Sequence, residues 1–200
     1  MRYISTRGGC EPVSSAEAIK LGLAADGGLY VPDELPELDD KALDSLRQMS
    51  YSERAARILH MFLSDSYTLE ELQSDAEAAY STAKFPGRAA PVMALGDKLR
   101  VLELWHGPTA AFKDMALQIM PRLLTRAMRK TGERGTALIL VATSGDTGKA
   151  ALEGYKDVDG VKIMVFYPAG GISSVQMLQM ATQEGSNVAV QAVRGNFDDT

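Results

Sequence analysis

The sequence predicts an α/β protein in two parts, a mostly helical N-terminal region followed by helices that alternate with strands of a parallel sheet. Two observations carry that expectation. Over residues 40–84, apolar side chains recur at three-to-four spacing, as on one face of a helix. Beyond about residue 96, short β-branched and aromatic runs without polar alternation are separated by helical stretches of ten or more residues. That pattern indicates strands of a parallel sheet covered on both faces. The character changes near Pro86-Gly87, so a small domain is expected over residues 1–95 and the first part of an α/β region over 96–200.

Each element has its own signal. Residues 1–35 are rich in glycine, with turns at Gly8-Gly9, Gly27-Gly28 and Pro32 around one short helix, 16–23. Ser14 or Ser15 serves as its N-cap, and Glu17 in the first turn suits the helix dipole. Leu43, Leu46 and Met49 form one apolar stripe, and Ala55, Ile58, Leu59 and Phe62 form another. A third helix, 69–80, follows the capping-box spacing Thr68-x-x-Glu71. Strands are expected over 99–104, 136–142, 161–167 and 187–193, with helices over 113–130, 146–156 and 173–184. Pro121 should kink the first of these helices or split it in two.

The composition narrows the classes of function. With 46% hydrophobic residues the chain can bury a core of ordinary globular size. The formal net charge is −5, and the densest basic stretch, 122–134, alternates with apolar residues like the solvated face of a helix. That argues against a nucleic-acid partner. Cys10 is the only cysteine, so no internal disulfide can form, and His60 and His106 cannot build a Cys/His zinc site; no metal is expected. The N-terminus lacks the apolar segment of a signal peptide, and no run of about 20 apolar residues exists, so no membrane is expected and the cytoplasm is the expected location.

Two strand-to-helix junctions can carry chemistry. In the first, Glu103-Leu104-Trp105-His106-Gly107-Pro108-Thr109-Ala110-Ala111-Phe112-Lys113-Asp114, a lysine falls at the start of a helix, where the dipole favours anions. Lys113 is either a surface lysine that reaches water or an amine with a task. In the second, Val141-Ala142-Thr143-Ser144-Gly145-Asp146-Thr147-Gly148-Lys149, a buried strand runs through small hydroxyl and glycine residues into a helix. Such a loop either offers backbone N–H groups to a carboxylate or phosphate, or caps the helix through Ser144 or Asp146. Three lookalikes fail. A phosphate-binding P-loop needs glycine where Thr143 stands and Ser or Thr where Ala150 stands. A nucleophile elbow needs glycines where Ala142 and Asp146 stand. A dinucleotide fingerprint needs a glycine ahead of Gly145 and Gly148.

Residues 103–114 and 142–148 resemble the cofactor-lysine segment and the Ser-Gly-Asp-Thr-Gly loop of the threonine synthase family, which are fold-type-II (tryptophan-synthase-β-like) pyridoxal-phosphate enzymes. Tyr3-x-Ser5-Thr6-Arg7-Gly8 and Gly22-Leu23-Ala24-x-Asp26-Gly27-Gly28-Leu29-Tyr30-Val31-Pro32 resemble the N-terminus of that family, so the likeness covers nearly the whole chain. The resemblance implies that Lys113 is the catalytic residue and holds pyridoxal 5'-phosphate as a Schiff base. It places Phe112 and Asp146 beside the cofactor, and Thr143, Ser144, Gly145, Thr147 and Gly148 on the substrate carboxylate. Many relatives with other activities carry Asn at the position of Asp146, and an Asp there needs a donor facing it. The implied reaction converts O-phospho-L-homoserine and water to L-threonine and phosphate. A phospho-lyase releasing a 2-oxo acid, or a non-catalytic binding module, are the alternatives. Family members are considerably longer than this chain, so the expected fold is incomplete, with the cofactor-phosphate loop and the partner of the pyridine nitrogen beyond Thr200. Gly195-Asn196-Phe197-Asp198 is expected to be a different turn, and the 200 residues alone are expected to be inactive.

Overall fold

The computed structural model describes residues 1–200, which divide into two compact units. The first comprises residues 1–80 and 122–134; the second comprises 81–121 and 135–200.

In the first unit, β1 (Tyr3–Ser5) and β2 (Tyr30–Pro32) pair antiparallel, Tyr3 opposite Pro32. The helix α1 (Ser15–Leu21) opens on Ser14, whose hydroxyl accepts from the Glu17 amide at 3.2 Å while the Glu17 carboxylate accepts from the Ser14 amide at 3.1 Å. Three helices follow, α2 (Asp40–Arg47), α3 (Tyr51–Leu63) and α4 (Leu69–Ala79). The Thr68–Glu71 capping box is formed as the spacing predicts, and Ser50 with Glu53 forms another at the start of α3. Each box satisfies amide donors that the first helical turn leaves without partners.

The glycine-rich N-terminal motifs close on one carboxylate. Asp26 faces the Ser5 hydroxyl at 2.7 and 2.8 Å and accepts from the amides of Gly28 (2.9 Å) and Gly9 (2.8 Å). A side chain on Gly28 would overlap the Ser5 hydroxyl, which is why glycine stands there. The Ser5 hydroxyl first, and then the Gly28 amide, lower the Asp26 pKa from 3.8 to about 2. A carboxylate lowered in the folded state stabilises it above its unfolded pKa, and that contribution fades as pH falls toward the folded value. Acid titration of the unfolding midpoint should therefore show a loss between about pH 4 and pH 2 that is shallower in Asp26→Asn.

The remaining helix of this unit belongs mainly to α6 (Met120–Lys130), which follows the single turn α5 (Asp114–Leu117). Leu123, Leu124, Ala127 and Met128 are buried along one side. The basic side is less solvated than its sequence suggests. Arg126 grips the buried Asp75 with two nitrogens, and Lys130 meets Glu71 at 2.8 Å. Both acids sit on α4 one turn apart, so two cations on α6 neutralise two carboxylates in register. Tyr67, almost wholly buried, donates to the Leu123 carbonyl at 2.9 Å, and burial raises its phenol pKa.

In the second unit, β3 (Val92–Leu95) and β4 (Leu99–Leu102) form an antiparallel hairpin, Val92 opposite Leu102. The expected strand over 99–104 is therefore real but does not join the parallel sheet. Gly96, at φ 71°, turns the chain so that the preceding segment pairs with it locally. The parallel sheet has three strands in the order β5 (Ala137–Ala142), β6 (Val161–Pro168), β7 (Val188–Val193), with Ile139 opposite Ile163 and Val165 opposite Val190. Between them run α7 (Asp146–Tyr155) and α8 (Ser174–Ala181). Val161, Ile163 and Val165 of β6 are buried, as are Ala150, Ala151, Leu152 and Tyr155 of α7, which packs on that strand. Of the cover expected on both faces of the sheet, this chain supplies one side of β5, in keeping with the incomplete fold expected from the sequence. Leu138 and Leu140 of β5 are 58% and 62% exposed, because α7 takes only the opposite face.

The expected helix over 113–130 is split, but the break precedes the proline. It falls at Gln118 and Ile119, and Pro121 is the second residue of α6. In the first turn a missing N–H removes no intrahelical bond, so proline is tolerated there.

Candidate active site

The segment ahead of Lys113 is shaped by Asp114. That carboxylate is fully buried and accepts from the Thr109 amide at 2.8 Å and the Thr109 hydroxyl at 2.7 Å. A side chain on Gly107 would collide with it. These bonds close the turn 107–114 and hold Ala110 at φ 55°, a left-handed conformation that disfavours a residue with a Cβ by about 1 kcal/mol. The strain is tolerated because the loop is pinned at both ends.

Lys113 stands at the N-cap position of α5, which is a single turn rather than the long helix the sequence suggested. The unfavourable encounter with a macrodipole is accordingly small, since four residues sum to little. Half-buried, Lys113 places Nζ 3.8 Å from the centroid of the Phe112 ring, and that amine makes no hydrogen bond or ion pair. Lys149, by contrast, is engaged by Glu153 (3.7 Å) and Gln183. Phe112 is 58% exposed and presents a flat apolar surface. Nearby, His106 Nε2 lies 2.7 Å from Glu103, and its ring stacks on Trp105.

The second junction is organised by a residue on the strand side. Neither Ser144 nor Asp146 caps α7, as the sequence had suggested. The Thr143 hydroxyl accepts from both the Gly145 amide (3.0 Å) and the Gly148 amide (2.9 Å), and Gly145 occupies the N-cap position without a side-chain bond. Thr143 is buried, whereas Ser144, Asp146 and Thr147 are exposed. Gly148 must be glycine because a Cβ there would overlap the Thr143 methyl and press on Val165. Gly145 adopts φ 148°, which glycine alone takes readily. With two of its amides turned onto Thr143, the start of α7 offers the Asp146 and Thr147 N–H groups, which lie beyond the reach of intrahelical acceptors.

The structure thus brings Thr143, Ser144, Gly145, Asp146, Thr147 and Gly148 together in one turn, and places Lys113 with Phe112 at the head of α5. The helix α5 packs against α7, where a Cβ on Gly154 would overlap the Leu117 carbonyl oxygen. No direct bond joins Lys113 to the loop. The sequence reading missed four residues that shape this region. Asp114 and Thr109 lay inside the quoted motif without a role; Gly154 lies in a helix, where its close approach leaves no sequence signal. Gln176 donates to Asp146 at 3.0 Å, and the spacing Ser173-x-x-Gln176 marks only a helix start. No group of three or more His, Cys, Asp or Glu side chains is placed to hold a metal ion, and no helix is long and apolar enough to cross a membrane.

Solved structures share this fold. One of a PLP-bound threonine synthase from Brucella melitensis superposes with a TM-score of 0.90 at 38% identity, over 99% of this chain and 42% of that one. One of yeast threonine synthase gives 0.89 at 36% identity, over 98% of this chain and 41% of that one. The fold is therefore the first part of the fold-type-II α/β class. Residues 2–80 match the family model described as threonine synthase N terminus. The threonine synthase of Pseudomonas aeruginosa is 42% identical over 199 residues, covering all of this chain and 42% of that protein. Over its whole length the chain is similar to the N-terminal part of threonine synthases. It spans about two fifths of the length of these relatives.

Proposed function

We propose that the chain supplies the amine partner and the substrate-carboxylate loop of a pyridoxal-phosphate-dependent threonine synthase. The observation that carries this reading is Lys113, a half-buried amine without an acid partner, set beside an exposed aromatic ring in a loop pinned by Asp114. An uncommitted amine fits a cofactor that bonds to lysine through its aldehyde. The exposed Phe112 ring offers a surface for a flat heterocycle, and Asp146 offers a carboxylate at the mouth of the turn. When bound, the cofactor supplies an electron sink for carbanion chemistry.

The reaction in this reading is O-phospho-L-homoserine and water to L-threonine and phosphate. The hydroxyls of Ser144 and Thr147 and the amides at the start of α7 bind the substrate carboxylate and orient its Cα. Lys113 would hold the cofactor, and its Nζ, when free, would take the proton at Cα and carry the proton at Cβ. Thr143 shapes the turn by accepting from the Gly145 and Gly148 amides. In this reading 1–95 is the small N-terminal domain by role and 96–200 the first part of the cofactor-binding region, while by packing 81–95 group with the second unit and 122–134 with the first.

Borohydride reduction of the holoenzyme followed by peptide mapping should put the pyridoxyl mass on Lys113. A label on Lys98 or Lys149 would overturn the assignment. Product analysis with O-phospho-L-homoserine should give threonine; a 2-oxo acid would replace the synthase reading with a phospho-lyase.

A further inference from the structure

Gln176 lies 30 residues beyond Asp146, yet it is built into the same turn. Its amide works at both ends. Oε1 accepts from the Ser173 amide (3.3 Å) and hydroxyl (3.1 Å), closing the capping box of α8, and Nε2 donates to Asp146 Oδ1 at 3.0 Å. The cap fixes which end of the amide faces Asp146, since only the oxygen can accept from Ser173. The same amide lies directly over Gly145, where a Cβ would overlap it. The Asp146 carboxylate has no other hydrogen-bond partner in the chain, so Gln176 alone sets its direction.

We infer that Gln176 is a positioning residue, which orients Asp146 and seats the 143–148 turn from the α8 side. The inference rests on the reading of 143–148 as the substrate loop. Thr143 holds the turn from within, through two amides, and Gln176 holds it from without, through a carboxylate and a close backbone approach. A primary amide is suited to both tasks. A carboxylate at 176 would keep the α8 cap, because Glu is itself a good residue at the third position of a capping box. It would face Asp146 with like charge and change only that end of the contact.

The test is a cycle of Q176E, D146N and the double variant in the holoenzyme, read by KM, kcat and the unfolding midpoint. With Asp146 present, Q176E should raise KM for O-phospho-L-homoserine about tenfold, change kcat less than about threefold, and lower the unfolding midpoint. In the D146N background the amide and the carboxylate exchange places, and the bond is kept with its polarity reversed. There Q176E should change KM less than about twofold, and the midpoint should recover. Equal effects of Q176E in both backgrounds would overturn the inference. Thr147→Val tests the underlying reading separately. A raised KM in T147V with no effect of Q176E defeats the positioning role alone, whereas an unchanged KM in both defeats the substrate-loop reading and the inference with it.

Discussion

Lys113→Ala is expected to lower turnover in the holoenzyme by about 1,000-fold, on the scale that a positioned proton-transfer group contributes, while barely changing stability. The two effects separate because Lys113 has almost no structural work. Its side chain makes no hydrogen bond or ion pair, and its contact with the exposed Phe112 ring is worth about 0.5–1 kcal/mol at most. Its neighbour is the opposite case. Asp114 is buried, and its two bonds to Thr109 shape the turn, so Asp114→Ala should unfold the loop and lose activity indirectly. Denaturant unfolding run beside steady-state kinetics distinguishes them. A Lys113→Ala enzyme that keeps its turnover would show that the reacting amine lies elsewhere; one that loses both activity and stability would show that Lys113 carries structure.

Gly154→Ala should destabilise the protein by about 1–2 kcal/mol, against the intrinsic preference of the helix. In an exposed helix interior, Gly to Ala is favourable by about 1 kcal/mol. Here the added methyl would overlap the Leu117 carbonyl oxygen, and a backbone atom cannot swing aside as a side-chain tip can. Overpacking of this kind costs about 1–3 kcal/mol. The relief available is a displacement of α5 from α7, which would carry Lys113 away from its place. Urea unfolding measures the first effect and kcat/KM the second. A stabilised variant with unchanged kinetics would show that α5 yields freely and that the close approach is incidental.

The helix starts were legible because their determinants are local. Ser14 with Glu17 and Thr68 with Glu71 bond within one turn, so residue type and spacing suffice to predict them. The same holds for β5, β6 and β7, whose β-branched runs can form strands whatever lies beside them. The motifs around Lys113 and Thr143 were legible as motifs, since each is a short strand-to-helix junction with unusual residues in a row. Their internal construction was less so. Ser144 and Asp146 are the expected caps by residue type, yet Thr143 accepts both glycine amides, because a hydroxyl on the last buried residue before the turn points inward at the donors.

The sequence by itself determined most of the helices and the strands β4 to β7, and which two junctions merit chemical attention, because capping, periodicity and turn preference act within a few residues. Only the tertiary structure decided the partner of β4, the pairing of Arg126 with the buried Asp75, and the contact of Gln176 with Asp146. Each of these joins surfaces whose match depends on the path of the chain between them. The hairpin shows the limit most plainly: the signal for the strand at Leu99–Leu102 was correct, but pairing is a property of two segments, and its own residues hold only half of it.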